Sequence, residues 1–215
     1  MKVYFISGLG ADGRVFRHIQ LPEGFEPVFI NWLQPGKSES LQNYAFRLAE
    51  SINSDEPFAI IGLSMGGMMA VEIAKQYNPV ITILISSVSG SGHLPVYYKA
   101  AGKIKLHKLL PVSLLKSGSM IKRFFTSETN EDKELVRQLI RDTDPAFIRW
   151  ALNAILQWES DPYTGPLIHI HGTGDGILPV RFTRPTHTIT KAGHMMVLTK
   201  ADEINRIVQE VLINR

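Results

Sequence analysis

Two continuous apolar segments, Phe58–Leu63 and residues 80–85, lie on either side of a helical segment, Met65–Tyr77. A strand that is apolar at every position is buried on both faces, which is typical of a parallel sheet covered by helices. Parallel neighbours need a crossover connection, and the helical segment supplies one. Further strands are predicted at residues 2–6, 27–30, 166–171 and 187–190. We therefore predict an α/β fold in which a mainly parallel sheet of about six strands is flanked by helices.

Apolar residues at helical spacing predict the remaining helices. Ser40 is suited to cap a helix that runs to about Ile52, and a final amphipathic helix is predicted at 202–213. A short helical piece is predicted at 15–20, and Pro22 limits its length because proline ends a helix.

The 215 residues are enough for one domain with a sizeable core. The alternation of strands and helices stops at residues 93–164, which contain helical patterns but no convincing strand. We predict a core formed by residues 1–92 and 165–215, with a helical cap insertion at 93–164.

The segment Gly62-Leu63-Ser64-Met65-Gly66 joins a predicted strand to a predicted helix. A serine on such a sharp turn adopts a positive φ, which lifts its hydroxyl clear of the backbone. Glycine two residues before and two after avoids a collision with the turn. The segment therefore predicts that Ser64 is a nucleophile, whereas a serine in an ordinary glycine-rich turn is the simpler interpretation.

A serine nucleophile needs a base, and the base needs an acid that orients it. Asp175 is predicted in the loop after one buried strand, and His194 in the loop after the next. The ends of parallel strands form the sites of open α/β sheets, so Ser64, Asp175 and His194 are expected to converge there. Taken singly, Asp175 is equally well a loop cap and His194 an ordinary polar residue.

Acyl transfer also requires N–H donors for the developing oxyanion. The N–H of Met65 lies at the start of the predicted helix, where it favours negative charge. The glycine-rich stretch after the first strand supplies a second candidate, the N–H of Leu9. We predict that these two backbone groups form an oxyanion hole.

These residues together resemble the α/β-hydrolase superfamily, in particular its small, cap-bearing esterases and thioesterases. The resemblance covers nearly the whole chain except 93–164, and it implies that Ser64 is the nucleophile, His194 the general base and acid, and Asp175 the orienting acid. It also implies a fold truncated at the N-terminus, since the first strand would correspond to the third of the family. The chain has Ser7-Gly8 where the family often has His-Gly.

Two other sites are weaker interpretations. Gly8-Leu9-Gly10-Ala11-Asp12-Gly13 matches a dinucleotide fingerprint, but the following helix is cut short and the second strand ends without an acid. His169 and His171 lie on one face of a strand, yet no further ligand cluster accompanies them. We predict no cofactor and no metal. The chain has no cysteine, which excludes thiolate sites and disulfides.

The formal net charge of +3 is unevenly distributed, because residues 91–123 contain seven Lys and Arg and no acid. A uniformly basic surface is absent, so no nucleic-acid partner is predicted. The segment is interpreted as a cap helix with a solvated lysine face, or else as a lid that touches anionic surfaces. No leader or membrane span is recognised, so a cytoplasmic location is predicted.

The expected partner is a small-molecule acyl ester or thioester. Trp150 and Trp158 most simply pack the cap onto the core, and with Met195 they are also candidates for an acyl pocket. We predict a serine hydrolase that forms an acyl-enzyme. A lyase that cleaves C–C bonds or cyanohydrins, a ligand-binding or sensing protein, and a cap-mediated interaction protein stay open, because a fold does not fix a reaction.

Overall fold

A computed structural model describes residues 1–103 and 129–214. Six strands form a sheet in the spatial order β2-β1-β3-β4-β5-β6, and every neighbouring pair is parallel. The strands are β1 (Lys2–Ile6), β2 (Glu26–Ile30), β3 (Phe58–Leu63), β4 (Ile81–Ile85), β5 (Leu167–Gly172) and β6 (His187–Ile189). The predicted α/β class and the parallel sheet of about six strands are confirmed.

Seven α-helices lie within the described ranges. They are α1 (Leu41–Ala49), α2 (Met65–Tyr77), α3 (Val96–Lys103), α4 (Asn130–Asp142), α5 (Pro145–Leu156), α6 (Met196–Thr199) and α7 (Ala201–Ile213). Ser40 caps α1 as predicted, since its side chain accepts from the N–H of Asn43. The helix ends at Ala49 rather than near Ile52.

One local prediction is wrong. The structure has a 3-10 helix at Gly13–Phe16 where we predicted a helical piece at 15–20. The Asp12 carboxylate caps it by accepting from the N–H of Arg14, so the turn begins two residues earlier. Val15 and Phe16 are its buried residues.

The sheet separates two apolar clusters. One contains α1, α2 and α5 side chains, such as Leu48, Met69 and Ala151. The other contains α4 and α7 side chains, such as Leu139 and Val208. Because both faces are covered, β3 and β4 are buried at every position, as their unbroken apolar sequences predict.

Helices α3, α4 and α5 lie between β4 and β5, within the segment predicted to be a cap insertion. The boundaries 93 and 164 stay a prediction. Most of the basic segment, including Lys105, Lys108, Lys116 and Lys122, lies outside the described residues, so its contact with anionic surfaces also stays a prediction. Among the helices at 1–103 and 129–214, none is long and apolar enough to cross a membrane.

Candidate active site

Ser64 lies on the turn between β3 and α2 with φ 53° and ψ −119°. Residues other than glycine rarely adopt such a positive φ. Glycine at 62 and 66 makes the turn sterically feasible, because a Cβ on Gly66 would overlap the carbonyl oxygens of Ile6 and Ser7, and one on Gly62 would overlap the backbone of Gly66. The turn therefore has the conformation that the sequence predicts for a nucleophile elbow.

The three polar side chains predicted to converge form one hydrogen-bonded chain. The Nε2 atom of His194 is 2.9 Å from the Oγ atom of Ser64, and its Nδ1 atom is 2.7 Å from the Oδ2 atom of Asp175. A carboxylate only accepts, so Nδ1 carries the proton and Nε2 is left to accept from the serine hydroxyl. This is the arrangement in which a histidine serves as a base towards a serine.

Asp175 is 4% exposed, yet its carboxylate is well bound. Its Oδ1 atom accepts from the N–H groups of Ile177 and Leu178, at 2.8 and 2.9 Å. Burial alone would raise the pKa of Asp175, but the interaction and hydrogen bond with His194, the Leu178 N–H and the nearby His171 imidazole together lower it. The carboxyl is thus ionised at neutral pH and orients His194.

The two predicted oxyanion donors belong to the segments next to Ser64. Met65 is the first residue of α2, and the first N–H groups of a helix have no intrahelical partner. Gly8 packs against Ser64, because a Cβ placed on it would be 3.3 Å from the Cβ of Ser64. Leu9 follows directly, so its N–H belongs to the loop that faces the elbow. Their role as an oxyanion hole stays a prediction.

The loop that carries Leu9 is braced at one carbonyl. Ala11 accepts from the Oγ of Ser7 at 2.8 Å and from the Nε1 of Trp32 at 2.9 Å. The Ala11 N–H also donates to the Gly8 carbonyl at 3.1 Å. Ser7 therefore tethers the loop from the position where the family often has histidine.

The family model described as the alpha/beta hydrolase family matches residues 3–207. The chain belongs to this family. Its curated relatives include uncharacterized proteins of Mycobacterium bovis and Mycobacterium tuberculosis, each 24% identical over 220 residues. That match covers 86% of this chain and 64% of each relative, so the chain spans less than two thirds of their length.

Solved structures show the same fold at low identity. An esterase from Thermogutta terrifontis has a TM-score of 0.73 at 17% identity, over 100% of this chain and 90% of that one. MenH from S. aureus has a TM-score of 0.73 at 16% identity, over 100% of this chain and 94% of that one. An enol-lactonase from Burkholderia xenovorans LB400 has a TM-score of 0.69 at 16% identity, over 99% of this chain and 91% of that one. The alpha/beta hydrolase fold is thus shared over nearly the whole chain.

The three candidate pocket residues of this alpha/beta hydrolase pack in two places. Trp150 packs against Tyr44 with ring centroids 4.3 Å apart and the ring planes tilted by 41°, and the indole of Trp158 donates to Glu72 at 2.8 Å. Both belong to the cluster that contains α1 and α2, whereas Met195 belongs to the cluster on the other face. The structure does not bring all three together, and a pocket role for any of them stays a prediction.

Two residues near the site were missed from the sequence. The Oγ of Ser87 donates to the Ser64 carbonyl at 2.6 Å, which fixes the elbow from the loop after β4. The hydroxyl of Tyr98 on α3 donates to the Ile177 carbonyl at 2.9 Å, which ties the insertion to the loop of Asp175. Burial, together with the nearby Tyr97 and Asp175, raises the pKa of Tyr98 to about 12, so it stays a donor. No spacing in the sequence indicated either contact.

His169 and His171 are both buried, and their rings contact each other. The Nε2 atom of His169 is 3.1 Å from the Nδ1 atom of His171, a hydrogen-bond distance. Within the two described ranges, no group of three His, Cys, Asp or Glu side chains is arranged to hold a metal ion. The pair therefore forms part of a hydrogen-bond network below the site.

Proposed function

We propose that this protein hydrolyses carboxylic esters or thioesters of small to medium, partly apolar acids through an acyl-enzyme intermediate. The observation that carries the proposal is the continuous chain from the Asp175 carboxylate through His194 to the Ser64 hydroxyl, with both links at 2.9 Å or less. The Thermogutta and Burkholderia proteins of the same fold are named as an esterase and an enol-lactonase, and both names denote ester chemistry.

Acylation begins when the Oγ of Ser64 attacks the carbonyl carbon and His194 Nε2 takes the hydroxyl proton. The Leu9 and Met65 N–H groups stabilise the oxyanion. The tetrahedral intermediate collapses, the bond to the leaving group breaks, and His194 gives its proton to the departing oxygen or sulfur. Asp175 stabilises the imidazolium throughout without taking up a proton.

Deacylation repeats these steps with water. His194 Nε2 takes a proton from a water molecule, whose oxygen attacks the acyl carbon of the Ser64 ester. Collapse of the second intermediate breaks the bond to Oγ, returns the proton to Ser64 and releases the acid. These steps require no group beyond the chain and one water molecule.

The test is labelling by a fluorophosphonate probe, followed by a screen of p-nitrophenyl and coenzyme A esters of graded acyl length. We expect labelling of Ser64, turnover of at least one series, and loss of both in Ser64→Ala. Asp175→Asn should lower kcat by roughly 10³ to 10⁴, because an amide does not hold His194 in the tautomer that it needs. A folded protein that neither takes the probe nor turns over any ester would contradict the proposal.

A further inference from the structure

The His169–His171 pair lies directly beneath the acid of the candidate site, at 1% and 0% exposure. The Nε2 atom of His171 is 2.7 Å from the Leu178 carbonyl oxygen and 3.4 Å from the Oδ2 atom of Asp175. Its ring therefore contacts both the carboxylate and the residue that closes the loop around it. The proposed mechanism does not use either histidine.

The neighbouring acceptors determine which ring nitrogen of each histidine carries the proton. The Leu178 carbonyl only accepts, so His171 carries its proton on Nε2. Nδ1 of the neutral ring then accepts, and the proton between the two rings comes from Nε2 of His169. Both rings are neutral, because burial lowers the pKa of His169 to about 3 and lowers that of His171.

These bonds close a ring around the acid. Leu178 accepts from His171 at its carbonyl, and its N–H donates to Oδ1 of Asp175 at 2.9 Å. Rotation of the loop would break both bonds together. The same Nε2 atom of His171 lies 3.4 Å from the Oδ2 atom of Asp175, the oxygen that binds His194.

We infer that His171 is a positioning residue of the triad: it fixes the loop of Asp175 through Leu178 and shares the Asp175 carboxylate with His194. This role rests on the proposed function. An N–H near Oδ2 draws off part of the carboxylate charge, so the carboxylate stabilises the imidazolium form of His194 less strongly.

Few titratable groups among the described residues face Asp175 and the histidine pair. His194 and His171 contact the carboxylate of Asp175, and the phenol of Tyr98 approaches it from α3. On the far side of the pair, His93 lies near His169. Among the described contacts of these groups, His171 lies beside the carboxylate and also donates to the Leu178 carbonyl.

The test compares His171→Phe, which removes the donor at similar size, with His171→Gln, whose amide N–H replaces it. His187→Gln is the matched control, since His187 lies on the neighbouring strand β6 and bonds Thr186. We measure kcat/KM against pH for each full-length variant, normalised to sites that take the fluorophosphonate probe. The midpoint of the low-pH limb should move to higher pH by roughly 0.5 to 1 pH unit in His171→Phe. In His171→Gln and His187→Gln it should stay near the wild-type midpoint.

The split between kcat and KM is a second readout. We expect kcat on the plateau to fall roughly tenfold in His171→Phe with little change in KM, because the acid loop is loosened and not the substrate contacts. An active His171→Phe whose low-pH limb coincides with that of the wild type would overturn the role, while leaving the proposed function intact.

Nitrogen-15 spectra of the wild-type imidazoles test the role without a variant and without turnover. They should show the Nε2–H tautomer for both His169 and His171 at neutral pH. An Nδ1–H tautomer at His171 would overturn the role even if His171→Phe does not fold. The expected tautomers in a protein that cleaves no ester would instead support the hydrogen-bond network and count against the proposed function.

Discussion

Ser64 has a backbone φ of 53°, and the two flanking glycines allow the chain to hold it there. This conformation costs roughly 1–3 kcal/mol for a residue with a side chain. The surrounding bonds offset it: the Ser64 N–H donates to the Ile85 carbonyl at 3.0 Å, and its carbonyl accepts from Gly67 and Ser87. The hydroxyl is therefore presented by a turn whose geometry is overdetermined by its neighbours.

Substitution of Gly66 tests that dependence. A Cβ at this position would overlap the carbonyl oxygens of Ile6 and Ser7, which are backbone atoms and do not rotate away. Gly66→Ala should therefore push α2 from the sheet, lower the free energy of unfolding by about 1–3 kcal/mol and misplace the Ser64 hydroxyl. Urea unfolding and probe labelling measure the two effects.

Gly92→Ala is the matched control, because a Cβ there meets no atom within 4 Å. It should leave the unfolding free energy within about 0.5 kcal/mol of the wild-type value. Equal stability and equal labelling rates for the two variants would show that the elbow tolerates a side chain at 66.

The residues of the candidate triad were accessible to sequence reasoning because each follows an apolar strand, and the ends of parallel strands meet at one edge. His171 offered a weaker signal, because it lies two residues after His169, on the same face of the strand before Asp175. Its bond to Leu178 depends on how the next loop folds back, which spacing does not encode. Tyr98 reaches Ile177 from a helix 79 positions away in the chain, and nothing local marks it.

At the scale of elements, continuous apolar sequence identified the buried strands well, because burial on both faces leaves no alternation to misread. The ends of elements were less predictable. Only a 3-10 turn, Val180–Phe182, forms between β5 and β6, and the short helix α6 begins directly after Met195. Such short turns are fixed by a few capping bonds and packing contacts, not by a repeating pattern.

Helix α4 is attached to the core by a buried carboxylate, and this attachment is testable. The Asp132 side chain is 4% exposed, and it accepts from Arg17, from His18 and from the hydroxyl of Thr129. Asp132→Asn removes the charge that these donors surround. We expect the free energy of unfolding to fall by about 1–3 kcal/mol, measured by urea denaturation.

Asp142→Asn is the control on the same helix. Asp142 bonds Arg14 at 3.1 Å, but the two side chains are 59% and 46% exposed. Such a surface pair contributes less than about 1 kcal/mol, so this variant should differ little from the wild type. A loss in Asp142→Asn as large as that in Asp132→Asn would show that burial does not set the strength of the attachment.

At the scale of the whole molecule, buried titratable groups set how stability depends on pH. Despite burial, hydrogen bonds and opposite charges hold the pKa of Asp132 and Asp175 below its usual range. A carboxyl with a lowered folded-state pKa stabilises the fold above its unfolded pKa of about 4 and loses that contribution as pH falls further. These two carboxyl groups therefore stabilise the fold at neutral pH, and their contribution is lost only in strong acid.

The buried histidine pair changes the free energy of unfolding at milder pH, because these rings stay neutral in the folded state and take up protons in the unfolded state. Unfolded histidine takes up a proton below about pH 6.5, whereas folded His169 stays neutral until about pH 3. Below pH 6.5 the unfolded state therefore binds more protons, and stability falls by at most about 1.4 kcal/mol per pH unit for each ring. We predict that the free energy of unfolding begins to decline near pH 6.5, well above the range of the carboxylates.

Urea denaturation at a series of pH values from 7.5 to 4.5 measures that decline. His169→Gln removes one of the two rings, so the slope between pH 6 and pH 4.5 should be roughly halved, whatever the variant does to stability at pH 7.5. His187→Gln, which removes a partly exposed ring on β6, should keep the wild-type slope. A wild-type stability that is flat down to pH 4.5 would mean that the buried rings take up protons in the folded state, in conflict with the neutral pair beneath Asp175.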